Sequence, residues 1–233
     1  MDCTTPRWIA GSLLAFLLCS PTPAAPIVIG FVGGFVAHDN SLHYEVQLAT
    51  RLRDGSGAQV RTYENRRGEQ AHQEVLRLLD TDGDGKLSDE EKRGARIAIY
   101  GHSWGASEAV TLARALARNG IPVLLTVQVD SVQKLGEDDG SIPANVAQAV
   151  NFYQLEGLLH GRAQIRAVDS SRTQILGNFQ FAYKDRPVSL EGYSWFARTF
   201  MKPHIEIESD PAVWGQVEAL IRTKLQLAPP ATE

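Results

Sequence analysis

An α/β fold, built on a mostly parallel sheet with helices on both faces, is the architecture this sequence predicts. Two observations carry it. Residues 27–32, 96–100 and 122–129 are apolar along nearly their whole length, as strands buried on both faces must be. Between the strand-like runs lie stretches with apolar residues at helical spacing, and parallel strands need such crossovers.

The elements follow in order. The strand at 27–32 ends in Gly33-Gly34. A helix over 41–53 has Leu42, Val46, Leu48, Ala49 and Leu52 at its apolar positions. A strand at 59–63 precedes a helix at 70–79, whose Val75, Leu76 and Leu79 share a face. The strand at 96–100 leads into a helix at 106–118, and the strand at 122–129 follows. A helix over 142–153 is expected next, opened by Ser141, Pro143 and Asn145. Residues 163–168 and 173–182 read as a hairpin, or as one strand with a return. A helix at 210–225 closes the chain, with Asp210 as its cap and Pro211 at its first position. Residues 227–233 read as a frayed tail.

The 233 residues, 43% of them hydrophobic, suffice for one sizeable core. No internal repeat or linker divides them, so 25–233 reads as a single domain. Lys and Arg are scattered and the net charge is -4. That distribution offers no basic face for nucleic acid. At the N-terminus Arg7 precedes an apolar run at 8–18, and Thr22-Pro23-Ala24 supplies small residues for cleavage. Residues 1–24 therefore read as an export signal, which implies an extracytoplasmic (periplasmic or secreted) protein with no stable membrane span after cleavage. Both cysteines, Cys3 and Cys19, fall in this segment, so the mature chain is expected to hold neither disulfide nor thiol chemistry.

The motif richest in chemistry is Gly101-His102-Ser103-Trp104-Gly105, set between an apolar strand and a helix-forming run. A G-x-S-x-G sequence at such a junction is a nucleophile elbow: a sharp turn that exposes the serine hydroxyl and leaves no room for side chains two residues to either side. Ser103 is the expected nucleophile.

This order of strand, glycine loop, helix, strand, helix, strand, elbow, helix and strand resembles the α/β-hydrolase superfamily from about residue 25 onward. It is most similar to compact lipase- and thioesterase-like members. The resemblance implies a serine hydrolase cleaving a carboxylic ester or thioester, small or lipid-like. It implies an oxyanion hole formed by the N–H of Trp104 with that of Gly34 or Phe35. The acid is expected at Asp130, where the fourth strand runs out, with Asp169 and Asp185 in reserve. His204 is the preferred base, in a loop before the closing helix, and His160 is the other histidine beyond Asp130. His102 is expected to pack rather than react. His38 and Asp39 fit either the pocket mouth or a solvated turn. Phe152, Tyr153 and Trp195 fit either an acyl pocket or plain core. Little chain is left for a lid, the segment after Asp130 being the candidate, and an open or shallow pocket is expected. A non-catalytic binding module on the same scaffold is the alternative, and the spacing of Ser103, His204 and Asp130 decides between the two.

A second motif, Asp80-Thr81-Asp82-Gly83-Asp84-Gly85-Lys86-Leu87-Ser88-Asp89-Glu90-Glu91, matches an EF-hand loop at its informative positions. Asp80, Asp82 and Asp84 offer carboxylates, Lys86 its carbonyl, Ser88 a ligand directly or through water, and Glu91 a bidentate closure. Gly85 allows the sharp turn. The expected ligand is Ca2+, a hard cation that takes six to eight oxygens. The helix leaving the loop must be short, because Gly94 precedes the next strand, so a static structural site is expected.

Overall fold

The alternation read from the sequence is present in the computed structural model, which describes residues 25–54 and 56–228. The signal-peptide reading of 1–24 and the last residues of the tail lie outside those residues. The first half runs β1 (Ile27–Val32), α1 (Tyr44–Arg53), β2 (Gln59–Glu64), α2 (Gly68–Leu79), the short α3 (Asp89–Arg93), β3 (Ile97–His102) and α4 (Trp104–Arg118). It continues as β4 (Val123–Val129), β5 (Ser141–Ile142), β6 (Val146–Tyr153), β7 (Arg166–Ala167) and β8 (Gln174–Gln180). Three helices end it: α5 (Trp195–Phe200), α6 (Lys202–Glu208) and α7 (Pro211–Leu225).

Six strands form one sheet in the order β2-β1-β3-β4-β6-β8, and every pairing in it is parallel. Strands β5 and β7 pair separately, also in parallel. Successive residues of a strand point to opposite faces, and the apolar runs therefore feed two cores. Ile27, Ile29 and Phe31 of β1 meet Val75 and Leu79 of α2 and Leu112 and Leu116 of α4. Val28 faces the other way, toward Leu48 and Leu52 of α1 and Trp214 and Ile221 of α7. With helices on both faces, this is the mostly parallel α/β arrangement the sequence implied.

The helix expected over 142–153 is instead β6, inserted between β4 and β8. Its buried residues explain the misreading. The buried Val146, Ala149 and Val150, with the half-buried Tyr153, fall at the i, i+3, i+4, i+7 spacing of a helix. The strand carries a register irregularity at Ala149/Val150. Val146 and Ala149 therefore serve one core, and Val150 and Phe152 the other. A bulge has imitated a helical period. Asn145, read as helix-opening, ties the preceding turn to the Ala113 and Ile121 carbonyls at 3.0 and 2.9 Å. Of the two readings for 163–168 and 173–182, the hairpin is absent, since Arg166–Ala167 pair with β5 and 174–180 form one strand parallel to β6.

Trp214 is the largest wholly buried side chain, edge-on to Tyr100 at 6.2 Å, and its indole N–H donates to the Glu208 carbonyl at 2.5 Å. It joins α7, β3 and the end of α6. Trp214→Ala is expected to cost about 3–5 kcal/mol in urea unfolding. A loss below about 1 kcal/mol would contradict its central place in this core.

Candidate active site

Strand β3 ends at His102, Ser103 stands between strand and helix, and α4 begins at Trp104. Ser103 adopts φ 56° and ψ -126°, a conformation that residues with a Cβ seldom adopt. The turn is held from both sides: Ser103 N–H donates to the Val129 carbonyl at 3.0 Å, and Val132 N–H donates to the Ser103 carbonyl at 3.2 Å. The two glycines of the motif are required by space. A Cβ at Gly101 would lie 2.4 Å from the Gly105 carbonyl oxygen, and one at Gly105 would lie 2.3 Å from that of Phe31.

Three sequence-distant side chains converge here. The Ser103 hydroxyl lies 2.9 Å from His204 Nε2, and His204 Nδ1 lies 2.6 Å from Asp130 Oδ2. The carboxylate accepts the Nδ1 proton, which leaves Nε2 as the acceptor facing Ser103. Ser103 is 7% exposed, while His204 and Asp130 are almost wholly buried. Burial alone would raise the Asp130 pKa, but hydrogen bonds from His204 and Gln154 outweigh it and hold the carboxyl below its ordinary value. Gln154 contributes its N–H at 3.1 Å and its side-chain amide at 2.8 Å, and Gly161 N–H adds a bond at 2.8 Å. Asp130 is therefore ionised and fixed.

The sequence reading missed Gln154 and Gly161. No signal marked Gln154. Gly161 is needed because a Cβ there would lie 2.3 Å from the Asp130 carbonyl carbon. Asp130 itself has φ 44°, so both ends of the hydrogen-bonded array rest on strained backbone. His204 was expected in a loop but lies in α6, which Pro203 helps to open. Residues 204–208 are all buried, so no polar face revealed a helix.

The glycine loop after β1 presses on the elbow, since a Cβ at Gly33 would lie 3.1 Å from that of Ser103. Gly34 has φ +47°, a region that favours glycine. Asn65, also missed, donates to the Val32 carbonyl at 3.3 Å and to that of Gly34, clamping the loop. The Phe35 ring stands edge-on to Trp104 at 5.6 Å. Among the described residues, the N–H groups of Gly34 and Phe35 meet no protein acceptor. Trp104 opens α4, so its N–H has no acceptor within the helix.

The remaining candidates lie apart from this array. His160 is exposed, its Nδ1 3.4 Å from the Gly161 carbonyl. Asp169 caps a turn at Ser171, and Asp185 is exposed. His38 pairs with Glu64 at 3.1 Å on the surface, and Asp39 is exposed beside it. Phe152 is core, whereas Trp195 is exposed on α5 with Phe196 and Phe200. The segment after Asp130 packs down through Lys134, which pairs with Glu108 and Glu137. Exposed apolar side chains include Leu135 of that segment, Phe35 beside the elbow, Leu155 and Leu158, and those of α5. His102 packs as expected, and burial pushes its pKa down to about 4.

In the acidic loop, Asp80, Asp82 and Asp84 each bring a carboxylate oxygen within 4.8 Å of the others. Asp80 accepts N–H bonds from Gly83 at 2.8 Å and Gly85 at 3.0 Å, which curl the chain around it. Gly83 and Gly85 both have positive φ. Ser88 and Glu91 form a capping box at the start of α3. Hydrogen bonds from Ser88 and Thr81 pull the Glu91 pKa down to about 2. A donor set of this kind, all carboxylate and hydroxyl oxygen, fits a hard cation.

No protein-family model matches the chain, and no curated protein matches it by sequence. Solved structures share part of its path. A thermostable esterase from Pseudomonas putida is 15% identical with a TM-score of 0.47, covering 90% of this chain and 77% of its own. An esterase from Pyrobaculum calidifontis is 14% identical with a TM-score of 0.44, covering 88% and 78%. RedJ is 11% identical with a TM-score of 0.44, covering 94% and 96%. These are partial likenesses of chain path.

Gly101→Ala, Gly105→Ala and Gly161→Ala each drive a Cβ into backbone. Each is expected to destabilise by at least the ~1–3 kcal/mol typical of overpacking, measured by urea unfolding. An unchanged midpoint would mean that the backbone yields without cost.

Proposed function

We propose that the protein is a secreted serine hydrolase that cleaves a carboxylic ester or thioester through an acyl-Ser103 intermediate. The observation that carries this reading is the unbroken chain Ser103–His204–Asp130, at 2.9 and 2.6 Å. A binding module has no need of such spacing.

In the proposed reaction the Ser103 oxygen attacks the substrate carbonyl as His204 Nε2 takes its proton. Asp130 keeps the other ring proton in place and offsets the charge of the imidazolium. The oxygen of the tetrahedral intermediate meets the N–H of Trp104 and that of Gly34 or Phe35. His204 then gives its proton to the departing alcohol or thiol, leaving acyl-Ser103. A water, deprotonated by His204, attacks the acyl carbon and releases the acid and free Ser103. The exposed Trp195, Phe196 and Phe200 stand on the helix just before the one that carries His204. That apolar surface supports a substrate with an apolar, lipid-like portion. Among the described residues no helix is long and apolar enough to cross a membrane.

The reading includes a structural Ca2+ held by Asp80, Asp82 and Asp84, the Lys86 carbonyl, Ser88 and Glu91. Bound there, the ion would offset the mutual repulsion of three clustered carboxylates and hold the shape of the loop between α2 and α3. The export signal at 1–24 implies an extracytoplasmic compartment, in which calcium is abundant.

Fluorophosphonate should add one adduct to the mature protein by intact mass, and Ser103→Ala should abolish it. A folded protein that stays unlabelled returns the scaffold to the binding-module reading. Asp130→Asn is expected to lower kcat on an aryl ester by about 10⁴-fold; a change of less than tenfold would remove Asp130 from its role. Calcium at a hundredfold over its Kd should stabilise the protein by about 2.7 kcal/mol. In thermal unfolding that gain should vanish in Asp80→Ala/Asp82→Ala.

A further inference from the structure

Beside the Ser103 array lies a second group of ionisable side chains that the reaction above does not use. His43 caps α1, Glu45 lies in its first turn, His102 ends β3 and Glu208 ends α6. Glu45 is wholly buried and the other three are at most 7% exposed. A ring nitrogen of His43 and one carboxylate oxygen from each of Glu45 and Glu208 lie within 4.8 Å of one another. Nδ1 of His102 stands 3.7 Å from Glu45 Oε1 and 3.7 Å from Glu208 Oε2. His43 Nδ1 contacts Glu208 Oε1 directly. Among the described residues, no Lys or Arg forms an ion pair with either carboxylate.

The directions of the lone pairs set this cluster apart from an ordinary buried ion pair. His102 Nε2 lies 3.2 Å from the His204 carbonyl oxygen. A carbonyl only accepts, so Nε2 carries the proton and Nδ1 of a neutral ring presents a lone pair. That lone pair faces two carboxylate oxygens. Neither oxygen of Glu45 meets a side-chain N–H donor, and neither does His102 Nδ1; burial and the adjacent Glu208 push the Glu45 carboxyl well above its ordinary value. Acceptors facing acceptors in a dry interior are costly.

We propose that His43, Glu45, His102 and Glu208 form a buried site for one divalent transition-metal ion of the zinc type. Imidazole nitrogen and carboxylate oxygen together suit zinc and its first-row neighbours. Calcium, which prefers a larger all-oxygen shell, suits the acidic loop instead. His102 also has the outer partner expected of a ligating imidazole, because its second nitrogen donates to a backbone carbonyl and fixes the ring. That carbonyl belongs to His204. A metal here ties α1, β3 and α6 together and anchors the turn that presents His204, whose ring lies 4.5 Å from that of His102. The competing arrangement is a proton shared between Glu45 and Glu208. It leaves His102 Nδ1 without a partner, since 3.7 Å is too long for a hydrogen bond.

The test is a metal count on the mature protein, stripped with a chelator and re-equilibrated with zinc in saturating calcium. One zinc per chain is expected, retained in Asp80→Ala/Asp82→Ala and in Ser103→Ala. Glu45→Gln and Glu208→Gln should each weaken zinc binding by at least the ~10–100-fold that outer-shell changes cost. Cobalt(II) in place of zinc should give intense visible absorption that the calcium loop cannot produce. Absence of stoichiometric zinc, or zinc binding unchanged in both glutamine variants, overturns the proposal. If a variant fails to fold, the cobalt spectrum of the unaltered protein decides, and absence of the visible bands counts against the site. The metal count does not depend on fluorophosphonate labelling, so this proposal and the hydrolase reading stand or fall separately.

Discussion

The crossing of three backbone segments at the elbow is the constraint on which the rest of the structure depends. Gly101 passes the Gly105 carbonyl, and Gly105 passes the Phe31 carbonyl, at distances that exclude any side chain. Strand β1, strand β3 and helix α4 are thereby locked into one unit. Ser103 has no choice but to adopt a positive φ at its apex. Such a conformation persists only where the surroundings over-determine it. Here they are two packed cores, one on each face of a parallel sheet. The sheet order places β3 beside both β1 and β4. The glycine loop, the elbow and Asp130 therefore emerge side by side.

Burial does different work at different points of this site. Around Asp130 it is matched by hydrogen bonds from His204, Gln154 and Gly161, so the carboxylate stays charged and immobile. Around Glu45 it is not matched. The contrast distinguishes a finished electrostatic arrangement from one that awaits a further charge. His102 stands between the two regions, with its ring near His204 and its Nδ1 toward the glutamates. The same imidazole thus stands between the hydrogen-bonded array and the glutamate pair.

Much of this was legible in the sequence because the responsible signals are local. Apolar runs announced β1, β3 and β4, and the glycines around Ser103 announced a turn that tolerates no side chain. The acidic loop, with its alternating aspartates, announced its own curl. What stayed hidden was set by distant contacts. Residues 146–153 carry a helical spacing that a bulge produces in a strand. The helix around His204 is buried on all sides, so it has no periodicity to read. Gly161 looks like any loop glycine until Asp130, 31 residues away, is packed against it. The glutamates at 45 and 208 resemble ordinary helix residues, and only the fold makes neighbours of them.

The order in which the site is encoded has a consequence for biosynthesis. Chains emerge and begin to fold from the N-terminus. The glycine loop, Ser103 and Asp130 leave the ribosome in turn, but His204 comes only just before the closing helix. Helix α7 shares one side of the sheet with α1, with Trp214 wedged against Tyr100. A nascent chain long enough to present the elbow therefore still lacks its imidazole and half of its cover. His204 and the helix that helps cover this face arrive together, after the rest of the array.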